Sequence, residues 1–110
     1  MNNLHLSKEA QADLAEIKEY FSKELENPTA ALSTLKKITK GMRILQSHAL
    51  AGPPLSSIAN VESDYRFLVH GNFLTFYRVQ GDEVYVDRVI YGRRDYLRIL
   101  FGEVLEEELE

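Results

Sequence analysis

The chain has 110 residues, a mass of 12.6 kDa and a formal net charge of −4, with 45% hydrophobic and 27% charged residues. This size and composition predict a single folded domain and exclude a disordered chain. The sequence contains no cysteine and no apolar run long enough to span a membrane. These absences exclude disulfides and thiolate chemistry, and we expect a cytoplasmic protein without a membrane partner.

Two amphipathic helices are predicted after a short opening strand, Asn3–Leu6. Ser7 is a suitable N-cap for the first helix, which continues to Leu25. Asn27 and Pro28 then end this helix and start the second one, so the pair should form an antiparallel hairpin. The apolar stripes consist of Ala10, Leu14, Ile17, Phe21 and Leu25 in the first helix, and of Leu32, Leu35, Ile38, Met42 and Leu45 in the second.

The second half of the chain predicts strands. The segment Ala51–Ser63 contains two consecutive prolines and reads as a loop, with Leu55 and Ile58 packing inward. Three strand-like runs follow, separated by "HGN" and "QGD", whose Gly, Asn and Asp residues favour tight hairpin turns. The runs are Tyr65–Val69, Phe73–Val79 and Glu83–Ile90. A last apolar stretch around Leu97–Phe101 predicts either a short helix or a strand-like arm.

This order predicts an α+β fold. An N-terminal strand and an antiparallel two-helix hairpin packed on one face of a mainly antiparallel sheet are followed by a short C-terminal element. The other face of the sheet is expected to be open. Alternation along the last strand predicts Val84, Val86, Arg88 and Ile90 on one face, and Tyr85, Asp87, Val89 and Tyr91 on the other. We expect one domain over residues 1–102 and an acidic tail over residues 103–110, which hold five glutamates.

Charge is unevenly distributed along the sequence. Residues 65–102 hold six arginines, no lysine and four acids. Arginines interleaved with tyrosines suit single-stranded nucleic acid or an acidic protein partner. The candidate target- or nucleic-acid-binding residues are Arg78, Arg88, Tyr91, Arg93, Arg94, Tyr96 and Arg98. Each arginine taken alone is better explained as a solvated or ion-paired residue, whereas the cluster favours a binding surface, and Arg66 could pair with Asp64 or Asp87.

The sequence offers little evidence for metal or cofactor chemistry. His5, His48 and His70 fall on different elements without a metal-binding spacing, and no phosphate-binding loop or nucleophile elbow is present. His70 lies in a turn, where it could act as an acid or base near neutral pH, although such a histidine is usually only solvated. We therefore predict no metal and no cofactor.

The segments "YRFLVHGNFLTFYRV" and "VDRVIYGRRDY", together with the order of elements, resemble the RelE/ParE superfamily of bacterial type II toxins. The resemblance spans nearly the whole chain and is clearest over residues 65–102. It implies a growth-inhibiting toxin of a stress-response system, bound by a cognate antitoxin. It also implies that operator DNA is reached only through that antitoxin. The acidic tail departs from the family and is either solvated or a shield for the arginine surface.

Two mechanisms are implied by the resemblance. RelE-like toxins cleave ribosome-bound mRNA without a metal, using lysines and arginines, whereas ParE-like toxins act on DNA gyrase. Leu74 stands where the RelE-like catalytic arginine is expected, and Phe67 and Val69 fall near the expected lysines. Arg94 matches a second family arginine, and Tyr96 lies where a stacking tyrosine is expected, so both are catalytic candidates only if the chain is RelE-like.

Whether the chain is an enzyme is left open by these residues. The missing lysines and arginine argue against a RelE-like nuclease, and "FYRV" followed by "RVIYGRRD" is closer to ParE-like sequences, so a ParE-like gyrase inhibitor is the preferred interpretation. The alternatives are a RelE-like ribosome-dependent mRNA endonuclease and a degenerate, non-toxic corepressor that only binds its antitoxin.

Overall fold

A mixed four-stranded sheet lies at the centre of the computed structural model, which describes residues 1–102. The strands are β1 (Asn3–Leu6), β2 (Arg66–His70), β3 (Phe73–Gln80) and β4 (Glu83–Tyr91). The helices are α1 (Lys8–Glu19), α2 (Pro28–Ile44) and α3 (Tyr96–Phe101), with a π-helical turn at Tyr20–Glu24 and a 3₁₀ turn at Leu55–Ser57. The predicted tail and its shielding role lie outside the described residues. Within residues 1–102, no helix is long and apolar enough to cross a membrane.

The sheet order is β1-β4-β3-β2, with β1 parallel to β4 and the other pairs antiparallel. Both hairpin turns have two residues and begin with a glycine at positive φ, 60° at Gly71 and 57° at Gly81. A glycine at the first turn position matches the turns that suit the right-handed twist of paired strands. The predicted α+β fold is confirmed, including the meander and the opening strand.

The helical hairpin packs on one face of the sheet, as predicted. The Ser7 hydroxyl accepts the amide N–H of Ala10, and the Asn27 side chain accepts that of Ala30, so both predicted N-caps are present. Leu32 is 54% exposed, and its predicted place in the apolar stripe is wrong because Ala31 occupies the buried position instead. The buried residues of this first core are Ala10, Ile17, Ile38, Met42, Leu45, Tyr77, Val84, Val86 and Val89.

The opposite face of the sheet is not open, contrary to the prediction. The terminal element is a helix, α3, and its apolar side chains pack against this face together with Leu55. Ile58, expected to pack inward, is 50% exposed. The second core consists of Leu55, Phe67, Phe76 and Ile90, with partly buried residues of α3 against it. The sheet is therefore covered on both faces in this half of the fold, with the helical hairpin on one side and α3 on the other.

A register shift between Phe76 and Tyr77 interrupts the pairing of β3 with β4. Such a bulge adds one residue to one strand and reverses the alternation of side chains beyond it. Val86 consequently packs in the first core, whereas Ile90 packs in the second. The predicted assignment of Val84, Val86, Arg88 and Ile90 to one face is therefore wrong.

Arg66 anchors the loop that precedes the sheet. Its Nε donates a hydrogen bond to the Gly52 carbonyl at 2.7 Å, and the Phe67 amide donates to the Pro53 carbonyl at 3.1 Å. The predicted pairing of Arg66 with Asp64 or Asp87 is not observed within residues 1–102. Arg66 therefore has a structural role, because it donates hydrogen bonds to backbone carbonyls of a loop that has no strand partner for them.

Candidate functional site

Arg78 is held on the sheet by an acid and two aromatic rings. Its Nε donates to Asp87 Oδ2 at 2.8 Å, and its guanidinium lies 5.8 Å from the ring centre of Tyr65 and 5.9 Å from that of Tyr85. The Tyr65 hydroxyl donates to the same carboxylate oxygen at 2.8 Å. Burial, followed by this hydrogen bond, raises the pKa of Tyr65 to about 12. The charge of Arg78 is therefore neutralised locally.

Arg88 is directed to the helix layer at the edge of the sheet. Its Nε and Nη2 donate to the two carboxylate oxygens of Asp13 at 2.8 and 2.9 Å. The Val89 amide also donates to Asp13, at 2.9 Å. The hydrogen bonds to Asp13 raise the pKa of Arg88. A bidentate pair with a buried carboxylate leaves Arg88 little capacity for a partner's phosphate.

The remaining arginines lie on the segment that follows β4. Arg93 and Arg94 are exposed in the turn, and neither side chain forms an ion pair within residues 1–102. Arg98, on α3, lies 3.5 Å from the Asp95 carboxylate. The predicted arginine cluster is thus divided: two members are paired on the sheet, one is paired on α3 and two are exposed at the turn.

The two predicted tyrosines have different environments. Tyr96 is partly buried in the second core, with its ring 5.3 Å from that of Phe76 at an interplanar angle of 32°. Tyr91 is 36% exposed and lies 5.8 Å from the Phe73 ring. Only Tyr91 therefore presents a face to a partner beside Arg94.

Tyr91 and Arg94 border an open groove of about 610 Å³. The groove lies between the end of α1, its π-helical extension and the adjacent ends of β3 and β4. Its apolar lining includes Ile17, Tyr20, Phe21, Leu25, Phe73 and Tyr91. Tyr20 and Leu25 are 52% and 50% exposed. Exposed apolar groups concentrated in one concave site mark a binding surface.

The π-helical turn at Tyr20–Glu24 contributes Tyr20 and Phe21 to the lining of this groove. A π-helical turn adds a residue to the helix and is frequent at functional sites. Leu25 was predicted to continue the buried stripe, but the wider turn places it at the groove instead. Sequence reasoning missed Tyr20, and the periodic pattern carries no signal for a change of helical pitch.

The groove suits docking better than proton transfer. Its one deeply buried acid, Asp13, is already paired with Arg88. His70 is not part of its lining, and burial lowers the pKa of His70, which favours the neutral form of the ring. Within the described residues, no group of three His, Asp or Glu side chains could hold a metal ion.

Three of the positions aligned with nuclease residues are apolar in this chain. Phe67 is buried in the second core, and Leu74 packs against it. Val69 is exposed but offers no charge. Arg94 is the one exposed cation among the positions matched to that mechanism.

A sequence profile described as "ParE toxin of type II toxin-antitoxin system, parDE" matches residues 4–96. The chain is 27% identical to a protein in the structure of a chromosomal ParDE toxin–antitoxin system from P. aeruginosa, with a TM-score of 0.69 over 83% of this chain and 96% of that one. It is 16% identical to a protein of the E. coli DinJ-YafQ complex, with a TM-score of 0.58 over 93% of this chain and 100% of that one, which supports the fold. Comparison with curated proteins gave no match. Because the profile covers most of the sequence, the chain belongs to the ParE toxin family of type II toxin–antitoxin systems.

Proposed function

We propose that this chain is a cytoplasmic toxin that arrests growth by inhibiting DNA gyrase and is neutralised by a cognate antitoxin protein. The single observation that carries the proposal is the family match over residues 4–96. The antitoxin is supported by the titles of two similar structures, which describe a ParDE system and a DinJ-YafQ complex. Operator DNA would then be reached only through the antitoxin.

The side-chain environments support a non-nucleolytic action. Metal-free RNA cleavage requires several fixed cations around the reacting phosphate. Here Arg78 and Arg88 are paired with carboxylates, and the Tyr96 ring packs on Phe76. A partner is better accommodated by the apolar groove, with Arg94 providing charge at its border and Arg93 exposed in the same turn.

The test measures DNA supercoiling, translation and mRNA integrity separately after expression of the chain is induced. We expect growth arrest with loss of supercoiling, while translation and mRNA remain intact, and we expect purified chain to inhibit gyrase in a supercoiling assay. Arg94→Ala and Tyr91→Ala should each weaken inhibition. Lys18→Ala is the matched control, because this exposed cation on α1 is not part of the groove lining.

A RelE-like endonuclease is the second candidate, because Arg94 is exposed and matches a family arginine. It predicts codon-positioned mRNA cuts that Arg94→Ala abolishes, a result that would overturn the gyrase proposal. Unchanged growth on induction would instead identify a degenerate corepressor.

A further inference from the structure

The basic residues of α2 form an exposed surface that the proposed function does not use. This helix, Pro28–Ile44, carries Lys36, Lys37, Lys40 and Arg43 and contains no Asp or Glu. All four side chains are exposed. By contrast, α1 mixes two lysines with four acids over twelve residues. A helix with cations alone differs from an ordinary solvated helix, in which both signs are interspersed.

The four cations share one side of α2. At 3.6 residues per turn, Lys36, Lys40 and Arg43 line up within a narrow stripe, and Lys37 lies beside it, so the set spans roughly a third of the circumference. The buried residues Ile38, Gly41 and Met42 lie on the opposite side, against the sheet. Lys36 and Arg43 are separated by about 10 Å along the helix axis.

The cations of this surface are not paired with acidic side chains in the described part of the fold. Within residues 1–102, none of the four cations forms an ion pair or a side-chain hydrogen bond. Two acids of α1, Glu9 and Glu16, instead attract the charge of Arg88 on β4 and help to raise its pKa. In the described part of the chain, the four cations of α2 are therefore left without a paired acid, although the whole chain has a formal net charge of −4.

We propose that the basic surface of α2, formed by Lys36, Lys37, Lys40 and Arg43, docks on the sugar–phosphate backbone of duplex DNA. Cations on a convex helix can contact successive phosphates without reading base edges, which gives sequence-independent binding. The surface has no aromatic side chain, so it lacks the stacking that single strands require. This sequence-independent contact is distinct from recognition of the operator sequence, which the proposed function assigns to the antitoxin.

An acidic protein partner fits this surface less well. The buried centre of a protein interface is typically depleted of charged residues and more apolar than its rim. The exposed apolar residues of α2 are Leu32 and Ile44, which lie about 18 Å apart along the axis with the cations between them. DNA backbone binding requires no such centre, and the binding does not depend on gyrase being the target.

Fluorescence anisotropy of the full-length chain with a labelled 25-base-pair duplex, at KCl concentrations from 50 to 200 mM, tests the proposal. Each phosphate contact contributes about 0.9 to the slope of log affinity against log salt, so four contacts predict a slope between about −3 and −4. The variant Lys36→Gln/Lys40→Gln/Arg43→Gln should bind the duplex at least about tenfold more weakly. The magnitude of its salt slope should be smaller by about 2.7, because three phosphate contacts are lost.

The matched control removes the same charge from the neighbouring segments. Lys8→Gln/Lys18→Gln/Lys23→Gln should bind DNA within about threefold of the unaltered chain, since long-range charge effects are screened by salt. Circular dichroism checks that both triple variants are folded. Equal losses in the two variants would overturn the proposal, as would no DNA binding at 50 mM salt. The proposal would also be overturned if the unaltered chain bound an RNA hairpin or a single strand tenfold more tightly than the duplex. It would likewise fail if the α2 triple variant lost affinity for the antitoxin but not for DNA.

Discussion

Arg88 of β4 and Asp13 of α1 form a bidentate ion pair, 75 positions apart in sequence, with donor–acceptor distances of 2.8 and 2.9 Å. Asp13 also accepts the Val89 amide, on the part of the β4 edge that extends beyond the pairing with β1. One carboxylate thus joins the helix layer to the sheet and satisfies an edge amide. Arg88, one of the predicted binding residues, therefore contributes to the architecture.

Replacement of Asp13 should therefore be costly. Asp13→Ala leaves the guanidinium of Arg88 and the Val89 amide without their partner, and we expect the free energy of unfolding to fall by about 3 kcal/mol. Asp13→Asn should lower the free energy of unfolding by less, because the oxygen of its side-chain amide can still accept the hydrogen bond from the Val89 N–H. Urea denaturation measures both changes, with Glu24→Gln, an exposed carboxylate on the π-helical turn after α1, as the control. An Asp13→Ala variant as stable as the control would show that the pair has no net stabilising effect.

Gly41 lies where α2 contacts β2. A Cβ added there would overlap the imidazole ring of His70. We expect Gly41→Ala to lower the free energy of unfolding by about 1–3 kcal/mol through overpacking, although alanine favours a helix by about 1 kcal/mol. In a His70→Ala background the same substitution should become neutral or stabilising. A double-mutant cycle by urea denaturation measures this coupling, and additive effects would contradict the contact.

His70 should also make stability depend on pH. Burial lowers the pKa of its imidazole, and its Nδ1 is buried without a hydrogen-bond partner within residues 1–102. The unfolded state consequently binds more protons, and the folded state loses stability as pH falls through the ordinary histidine pKa of about 6.5. Between pH 7.5 and 5.5, the free energy of unfolding of the native chain should fall more steeply than that of His70→Gln. His48→Gln, on an exposed loop, should retain the native slope, and parallel slopes for all three proteins would refute the assignment.

Tyr96 distinguishes packing from catalysis. Because its ring packs on Phe76, Tyr96→Phe should preserve both stability and toxicity, with the free energy of unfolding changed by at most about 0.5 kcal/mol. Tyr96→Ala should cost at least about 2 kcal/mol, since it leaves a cavity beneath α3. Thermal unfolding and growth after induction measure the two effects. Loss of mRNA cleavage in Tyr96→Phe would instead assign the hydroxyl a chemical role.

The candidate site was only partly predictable from sequence. Tyr91 and Arg94 were identified because aromatic and cationic residues cluster after the last strand, and the structure places both at the groove. The contribution of Tyr20 and Leu25 depends on the π-helical turn, which the apolar periodicity does not reveal. Arg78 and Arg88 were predicted to share a binding surface, yet their acidic partners come from β4 and α1 respectively.

The sequence by itself determined the features that depend on local interactions. The N-caps Ser7 and Asn27, the glycines of both hairpin turns and the period of the apolar stripes each act within a few residues, so their pattern predicted the elements and their order. The tertiary structure alone decided the bulge at Phe76 and Tyr77, the packing of α3 on the second face and the pairing of each arginine. These features depend on groups far apart in the chain, whose contacts are fixed only when the layers pack.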